Sequence, residues 1–128
     1  MTEEEFEKTV EKALNDLPKE IFEKMENVAI TIEKRPSPEQ LRKSGIRAGN
    51  LLLGLYQGIP KTKYGRGFGN ILPDKITIFQ EPIEKLARSE DKIFGILKNT
   101  IFHEIAHHFG FDEKGIRILE KKRKLEER

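Results

Sequence analysis

The sequence predicts an α+β domain in which a small sheet is packed against helices. Two observations lead to this class. Apolar residues recur at helical spacing near both ends of the chain, and short apolar runs bounded by glycine and proline lie between those segments. The chain has 128 residues, which fits a single domain spanning positions 1–128.

The N-terminal part of the chain is predicted to be helical. Thr2 followed by Glu5 matches a capping box, which marks the start of a helix. Apolar residues then recur at helical spacing as far as Leu17. Proline cannot continue a helix, so a short second helix is expected over Pro18–Met25.

Three strands are predicted in the middle of the chain. Ser37 is expected to cap a short helix that follows the first strand and extends to about Lys43. Gly54, inside the second strand, suggests a bulge or a close approach of another backbone. A glycine-rich loop over Gly58–Pro73 precedes the third strand, and loops of this length are often functional. The predicted strands are Val28–Ile32, Asn50–Gln57 and Lys75–Gln80.

Helices are predicted again after the third strand. Pro82 is expected to begin a short helix that ends near Arg88. The longest helix is predicted over Asp91–Phe109, and Gly110 is placed to end it. Asp112 is expected to cap a final helix that runs towards Leu125.

Charge and cysteine content exclude several classes of function. The chain has 24 basic and 22 acidic residues, a balance that does not indicate a nucleic-acid partner. Its one basic cluster, Lys121–Lys124, is flanked by glutamates and is interpreted as a solvated helix end. Because cysteine is absent, disulfides and thiolate ligands are excluded, and any metal site must use histidine and carboxylate.

The sequence also predicts where the protein resides. The acidic segment Met1–Glu5 lacks the basic and then apolar pattern of a secretory signal. No apolar run approaches the roughly 20 residues that span a bilayer. We therefore expect a soluble, cytoplasmic protein with no membrane partner.

The motif that indicates chemistry lies within the longest predicted helix. Its residues His103, Glu104 and His107 match HExxH. Residues four apart on a helix are separated by roughly 40° around the axis and one turn along it. The two imidazoles can therefore converge on one ion, with Glu104 beside them as a general base. The competing interpretation is a histidine pair that is simply polar surface.

The residues that follow extend the motif to HExxHxxGxxE. Gly110 permits a sharp turn, which can bring Glu113 under the two histidines as a third ligand. Asp112 is the alternative third ligand, although it is also well placed to cap the next helix. A helical wheel places His108 in the apolar arc of the helix, so it is interpreted as a packed histidine or one that supports the ligands.

This ligand set predicts a hydrolase with one zinc ion per chain. Three protein ligands leave a fourth position open for water, and zinc lowers the pKa of that water towards neutrality. Glu104 is then placed to take the proton of the water and later to deliver it to a leaving amine. The expected reaction is hydrolysis of an amide, most plausibly a peptide bond.

Three segments of the chain together resemble the bacterial minimal zincin-like metallopeptidase family. They are Leu51–Thr62, Leu72–Ile83 and Thr100–Glu113. The resemblance covers roughly residues 20 to 120. It implies a minimal zincin-like fold, with a small mixed sheet of about three to four strands packed on the active-site helix. The motif of the family usually ends in Asp, where this chain has Glu113.

The expected substrate is a peptide or an unfolded protein. The strand Asn50–Gln57 can lie at the sheet edge beside the metal, where a peptide adds as a further strand. The alternative is an ordinary strand whose leucines pack inward. Tyr64 or Arg66, on the glycine-rich loop, is a candidate contact for the oxyanion or the substrate.

Two other functions remain open at this point. The first is a module that binds a metal or a peptide without turnover on the same scaffold. The second is an accessory protein that binds nucleic acid through the Lys121–Lys124 cluster. The variant Glu104→Gln distinguishes a hydrolase from these two alternatives, because in a hydrolase it should keep the metal and abolish hydrolysis.

Overall fold

The computed structural model of the chain describes residues 1–46, 50–58 and 74–109. Within these ranges the structure has five α-helices and a three-stranded mixed sheet, so the predicted α+β class is confirmed. In chain order the elements are α1 (Glu3–Asn15), α2 (Lys19–Lys24), β1 (Val28–Glu33), α3 (Pro38–Ser44), β2 (Gly54–Gln57), β3 (Asp74–Phe79), α4 (Gln80–Ala87) and α5 (Glu90–His108).

Of the three helix starts that were predicted from capping residues, two lie in the described residues, and both are confirmed. The Thr2 hydroxyl accepts a hydrogen bond from the Glu5 backbone N–H at 3.1 Å and begins α1. Ser37 and Gln40 form a reciprocal capping box at the start of α3. Such a box satisfies two backbone N–H groups that a helix leaves without intrahelical partners.

The sheet has the order β1-β3-β2, with β3 in the centre. β1 runs parallel to β3, from the pair Val28↔Asp74 to the pair Glu33↔Phe79. β2 runs antiparallel to β3, from Gly54↔Ile78 to Gln57↔Lys75. In this described part of the chain, β2 is therefore an edge strand.

The predicted strand Asn50–Gln57 is too long, because only Gly54–Gln57 pairs with β3. In this register the residues before Leu53 would have to pair with residues beyond Phe79, and those are already helical. The third strand likewise ends at Phe79, and not at Gln80 as predicted. Gln80 begins α4, and its side-chain amide donates to the Met1 carbonyl at 3.1 Å.

Helix α5 forms the centre of the core. It packs against α1, α4 and β2, and its fully buried side chains meet those of the central strand. The buried ammonium of Lys98 contacts the Asp16 carboxylate just after α1, which fixes α1 to α5. The fully buried large side chains of α5 are Leu97, Ile101, Phe102 and Ile105.

Two predicted elements lie outside the described residues. They are most of the glycine-rich loop, from residue 59 to 73, and the final helix beyond residue 109. None of the helices in the described ranges combines the length and apolarity that crossing a bilayer requires.

Candidate metal centre

The HExxH residues lie in the last two turns of α5. His103 and Glu104 are half-buried, and His107 is exposed. The residues between and before them, including Ile105 and Ala106, are fully buried. The buried residues therefore fix the rotation of the helix, and this rotation turns the polar residues of the motif away from the core.

The two histidine rings lie side by side. Their centroids are 6.2 Å apart and their planes are inclined by 26°. With a zinc–nitrogen distance of 2.0–2.1 Å, two rings that share one zinc have centroids at most roughly 6.4 Å apart, and roughly 5.2 Å at a tetrahedral angle. The observed separation is within this reach, so side-chain rotation that brings the rings about 1 Å closer yields a tetrahedral geometry.

Both candidates for the third ligand, Glu113 and Asp112, lie beyond the described residues, as does Gly110. Within residues 1–46, 50–58 and 74–109, no three histidine or carboxylate side chains are arranged to hold a metal. The described part of the chain thus brings together two imidazole rings and one neighbouring carboxylate. Tyr64 and Arg66, the candidate oxyanion contacts, also lie outside it.

The carboxyl group of Glu104 is half-buried beside His107. Burial raises the pKa of its carboxyl group above the ordinary value. The neighbouring His107 and a hydrogen bond from the Tyr56 backbone N–H oppose that rise. A carboxylate with a raised pKa is a better base near neutral pH, which suits general base catalysis.

The hydrogen bond to Glu104 comes from the outer edge of β2. Phe79 N–H donates to the Leu53 carbonyl at 3.0 Å, so this pair is hydrogen-bonded within the ladder. Because such pairs alternate in an antiparallel ladder, the main-chain groups of Gly54 and Tyr56 point away from β3. The outer edge of β2 therefore faces the helix that carries the motif.

A cleft of about 460 Å³ lies between this edge and α5. One side is apolar and consists of Ile46 and the leucines at 51, 52 and 53. The other side includes Thr100, His103 and Glu104. The volume falls within the range of roughly 300–1,000 Å³ that is typical of small-ligand sites.

His108 does not point into the apolar arc of α5, as the helical wheel suggested. It is exposed, and its ring stacks on Tyr56 with centroids 3.7 Å apart. Its Nε2 lies 3.5 Å from Asp74 Oδ2, and the same oxygen accepts a hydrogen bond from the Tyr56 hydroxyl at 2.7 Å. His108 is the last residue of the helix, so the apolar layer of the core does not extend this far.

Sequence reasoning missed Tyr56 and Asp74 as parts of this region. Tyr56 lies on a predicted strand and Asp74 directly precedes another, and neither has a local signal of function. One signal was present in the sequence, since His108 follows Glu104 by four residues and so shares its face of the helix. A strand packed along that face contacts both residues.

An HExxH helix beside the edge strand of a small mixed sheet defines the class of metallohydrolases that carry their histidine ligands on one helix. A family model described as zincin-like metallopeptidase matches residues 25–123, which is most of the chain. The chain belongs to this zincin-like metallopeptidase family. The match confirms the resemblance that the sequence motifs indicated. No protein with curated annotation matches the chain.

Proposed function

We propose that the chain is a zinc-dependent peptidase that hydrolyses peptides or unfolded protein segments. The observation that carries the proposal is the juxtaposition of His103 and His107 with the half-buried Glu104, beside an apolar cleft. Membership of the zincin-like metallopeptidase family supports the same reaction class.

His103 and His107 would hold the zinc ion, with Glu113 or Asp112 as the third ligand. Bound zinc supplies a water of lowered pKa and polarises the substrate carbonyl. The Glu104 carboxylate takes a proton from the attacking water as the new C–O bond forms. It then delivers this proton to the amine nitrogen as the C–N bond breaks, so atoms and charge balance.

The edge of β2 would align the substrate. An extended peptide can use the outward N–H and C=O of Gly54 and the outward C=O of Tyr56, with side chains placed alternately on either side of the strand. The cleft beside this edge would accept an apolar side chain near the scissile bond, since leucines form one of its sides. Few other side chains line the cleft in the described residues. The enzyme should therefore discriminate only modestly among side chains at the other positions of the substrate.

Digestion of a peptide library by the zinc-loaded protein tests this function. Mass spectrometry should find new termini, with apolar residues enriched next to the cleavage points. Zinc-loaded Glu104→Gln should bind the same amount of metal and lose about 10²- to 10⁴-fold in rate, the usual contribution of a general base.

The control is Glu90→Gln, which changes an exposed glutamate at the far end of the same helix and should leave the rate unchanged. Equal inertness of wild type and Glu104→Gln on the library would overturn the peptidase proposal. In that case, saturable peptide binding would support the alternative of a module that binds a metal or a peptide without turnover.

A further inference from the structure

Three side chains of α5, each four residues after the last, form a ridge that faces β2. Thr100 contacts Gly54, Glu104 accepts from the Tyr56 backbone, and His108 stacks on the Tyr56 ring. His103 and His107 lie on the adjacent ridge of the helix, because they immediately precede Glu104 and His108. The contact with β2 therefore lies directly beside the candidate metal ligands.

The approach of the strand to the helix is closest at Gly54. A Cβ atom at this position would lie 3.0 Å from Thr100 Cγ2 and 3.4 Å from both Ile78 Cδ1 and the Thr77 carbonyl oxygen. Real Cβ atoms rarely make contacts as short as the first of these. Glycine thus permits a separation between β2 and α5 that a larger residue would increase.

Tyr56 contacts this ridge at two levels. Its N–H donates to Glu104, while its ring covers His108 one turn further along the helix. Its hydroxyl is fixed by Asp74, the first residue of the central strand. Asp74 therefore links the ring of Tyr56, the end of α5 and β3 in one cluster of side chains.

We infer that Gly54, Tyr56 and Asp74 are positioning residues that hold the Glu104 carboxylate at a fixed distance from His103 and His107. This inference rests on the proposed function only for its effect on rate. Independently of that function, β2 sets the position of Glu104 through the Tyr56 N–H. Displacement of a reacting group by about 1 Å can cost 10²-fold in rate, so the expected effects are measurable.

A pair of size changes tests the contact. Gly54→Ala should push β2 away from α5 by a few tenths of an ångström and lower kcat by roughly 3- to 10-fold with little change in KM. Thr100→Ser removes only the methyl that the new Cβ would meet, and it keeps a hydroxyl that can donate to the Ile96 carbonyl. The double variant Gly54→Ala/Thr100→Ser should therefore have a kcat within a few fold of Thr100→Ser alone, which is its reference because Thr100 also lines the cleft.

Nuclear magnetic resonance of the metal-free protein tests the same inference without any activity. The amide proton of Tyr56 should resonate downfield, because it donates to a carboxylate, and it should move upfield in Glu104→Ala. It should also move upfield in Gly54→Ala and return in the double variant. Tyr56→Phe, which removes only the phenolic oxygen, should shift it in the same direction by freeing the ring from Asp74.

Thr31→Val is the matched control, since it breaks a hydrogen bond of 3.1 Å between hydroxyls of β1 and β3, and β1 does not pair with β2. An unchanged Tyr56 amide in Gly54→Ala and Tyr56→Phe would overturn the positioning role, whatever the activity. A double variant that stays as slow as Gly54→Ala would also overturn it. If the amide moves as expected and wild type hydrolyses no peptide, the positioning role stands and the peptidase proposal fails.

Discussion

Ile105 and His107 lie two residues apart in the motif, and the structure assigns them opposite roles. Ile105 is fully buried in the core, whereas His107 is exposed. The variants Ile105→Ala and His107→Ala should therefore separate the stability of the helix from its capacity to bind metal. Thermal unfolding with and without zinc measures both quantities in one experiment.

Removing three carbons from a fully buried isoleucine costs roughly 2–5 kcal/mol, because the cavity that remains adds to the lost transfer free energy. A chain of this length is stable by roughly 6–19 kcal/mol. Ile105→Ala should therefore still fold, with a Tm lower by roughly 7–19 °C. His107→Ala should change the free energy of unfolding of the metal-free protein by less than about 1 kcal/mol.

Zinc should stabilise only one of the two variants. A ligand that binds only the folded state stabilises it by about 2.7 kcal/mol at 100 times its Kd. This increment should be the same in wild type and Ile105→Ala, and absent in His107→Ala. A full zinc increment in His107→Ala would contradict the role of His107 in metal binding. A loss of less than about 1 kcal/mol in the free energy of unfolding of Ile105→Ala would contradict the role of Ile105 in the core.

Three further predictions concern the surroundings of the site. Because burial raises the pKa of Glu104 in the folded chain, its contribution to stability is present at low pH and is lost as pH rises through that pKa. Glu104→Gln, which cannot ionise, should thus raise the Tm of the metal-free protein more at pH 8 than at pH 4. Leu51→Glu, in the cleft, should reduce cleavage beside apolar residues, whereas Leu86→Glu on an exposed part of α4 should not. Asp16→Ala should lower the free energy of unfolding in urea by roughly 1–3 kcal/mol, because the buried ammonium of Lys98 loses a carboxylate.

A specific result would contradict each of these three predictions. A Tm difference for Glu104→Gln that is larger at pH 4 would mean that the folded state favours the ionised form. Equal loss of cleavage in Leu51→Glu and Leu86→Glu would indicate a general effect of added charge. An unchanged urea midpoint in Asp16→Ala would show that the carboxylate contributes nothing to the buried lysine.

The sequence was sufficient to locate the helix that carries the site. Its buried residues repeat at helical spacing, and the HExxH offsets fix which side chains share a face. Such information is local, because it depends on residues within a few turns of one another. The start of α1 at Thr2 and of α3 at Ser37 were predictable for the same reason.

The lengths of the strands were not predictable in this way. The apolar run before Gly54 looks like a continuous strand, but pairing stops where β3 passes into α4 at Gln80. A strand ends where its partner ends, and the partner is distant in the sequence. The cluster of Tyr56, Asp74 and His108 was missed for the same physical reason, since its members come from three separate elements.

The proposed function depends most on the binding of one metal ion by His103 and His107 together. X-ray absorption spectroscopy of the zinc-loaded protein measures this directly. We expect one zinc per chain by metal analysis, and in the absorption spectrum two imidazole nitrogens at about 2.0–2.1 Å with oxygen ligands completing the shell. A zinc shell without imidazole, or one that is unchanged in the double variant His103→Ala/His107→Ala, would contradict this expectation.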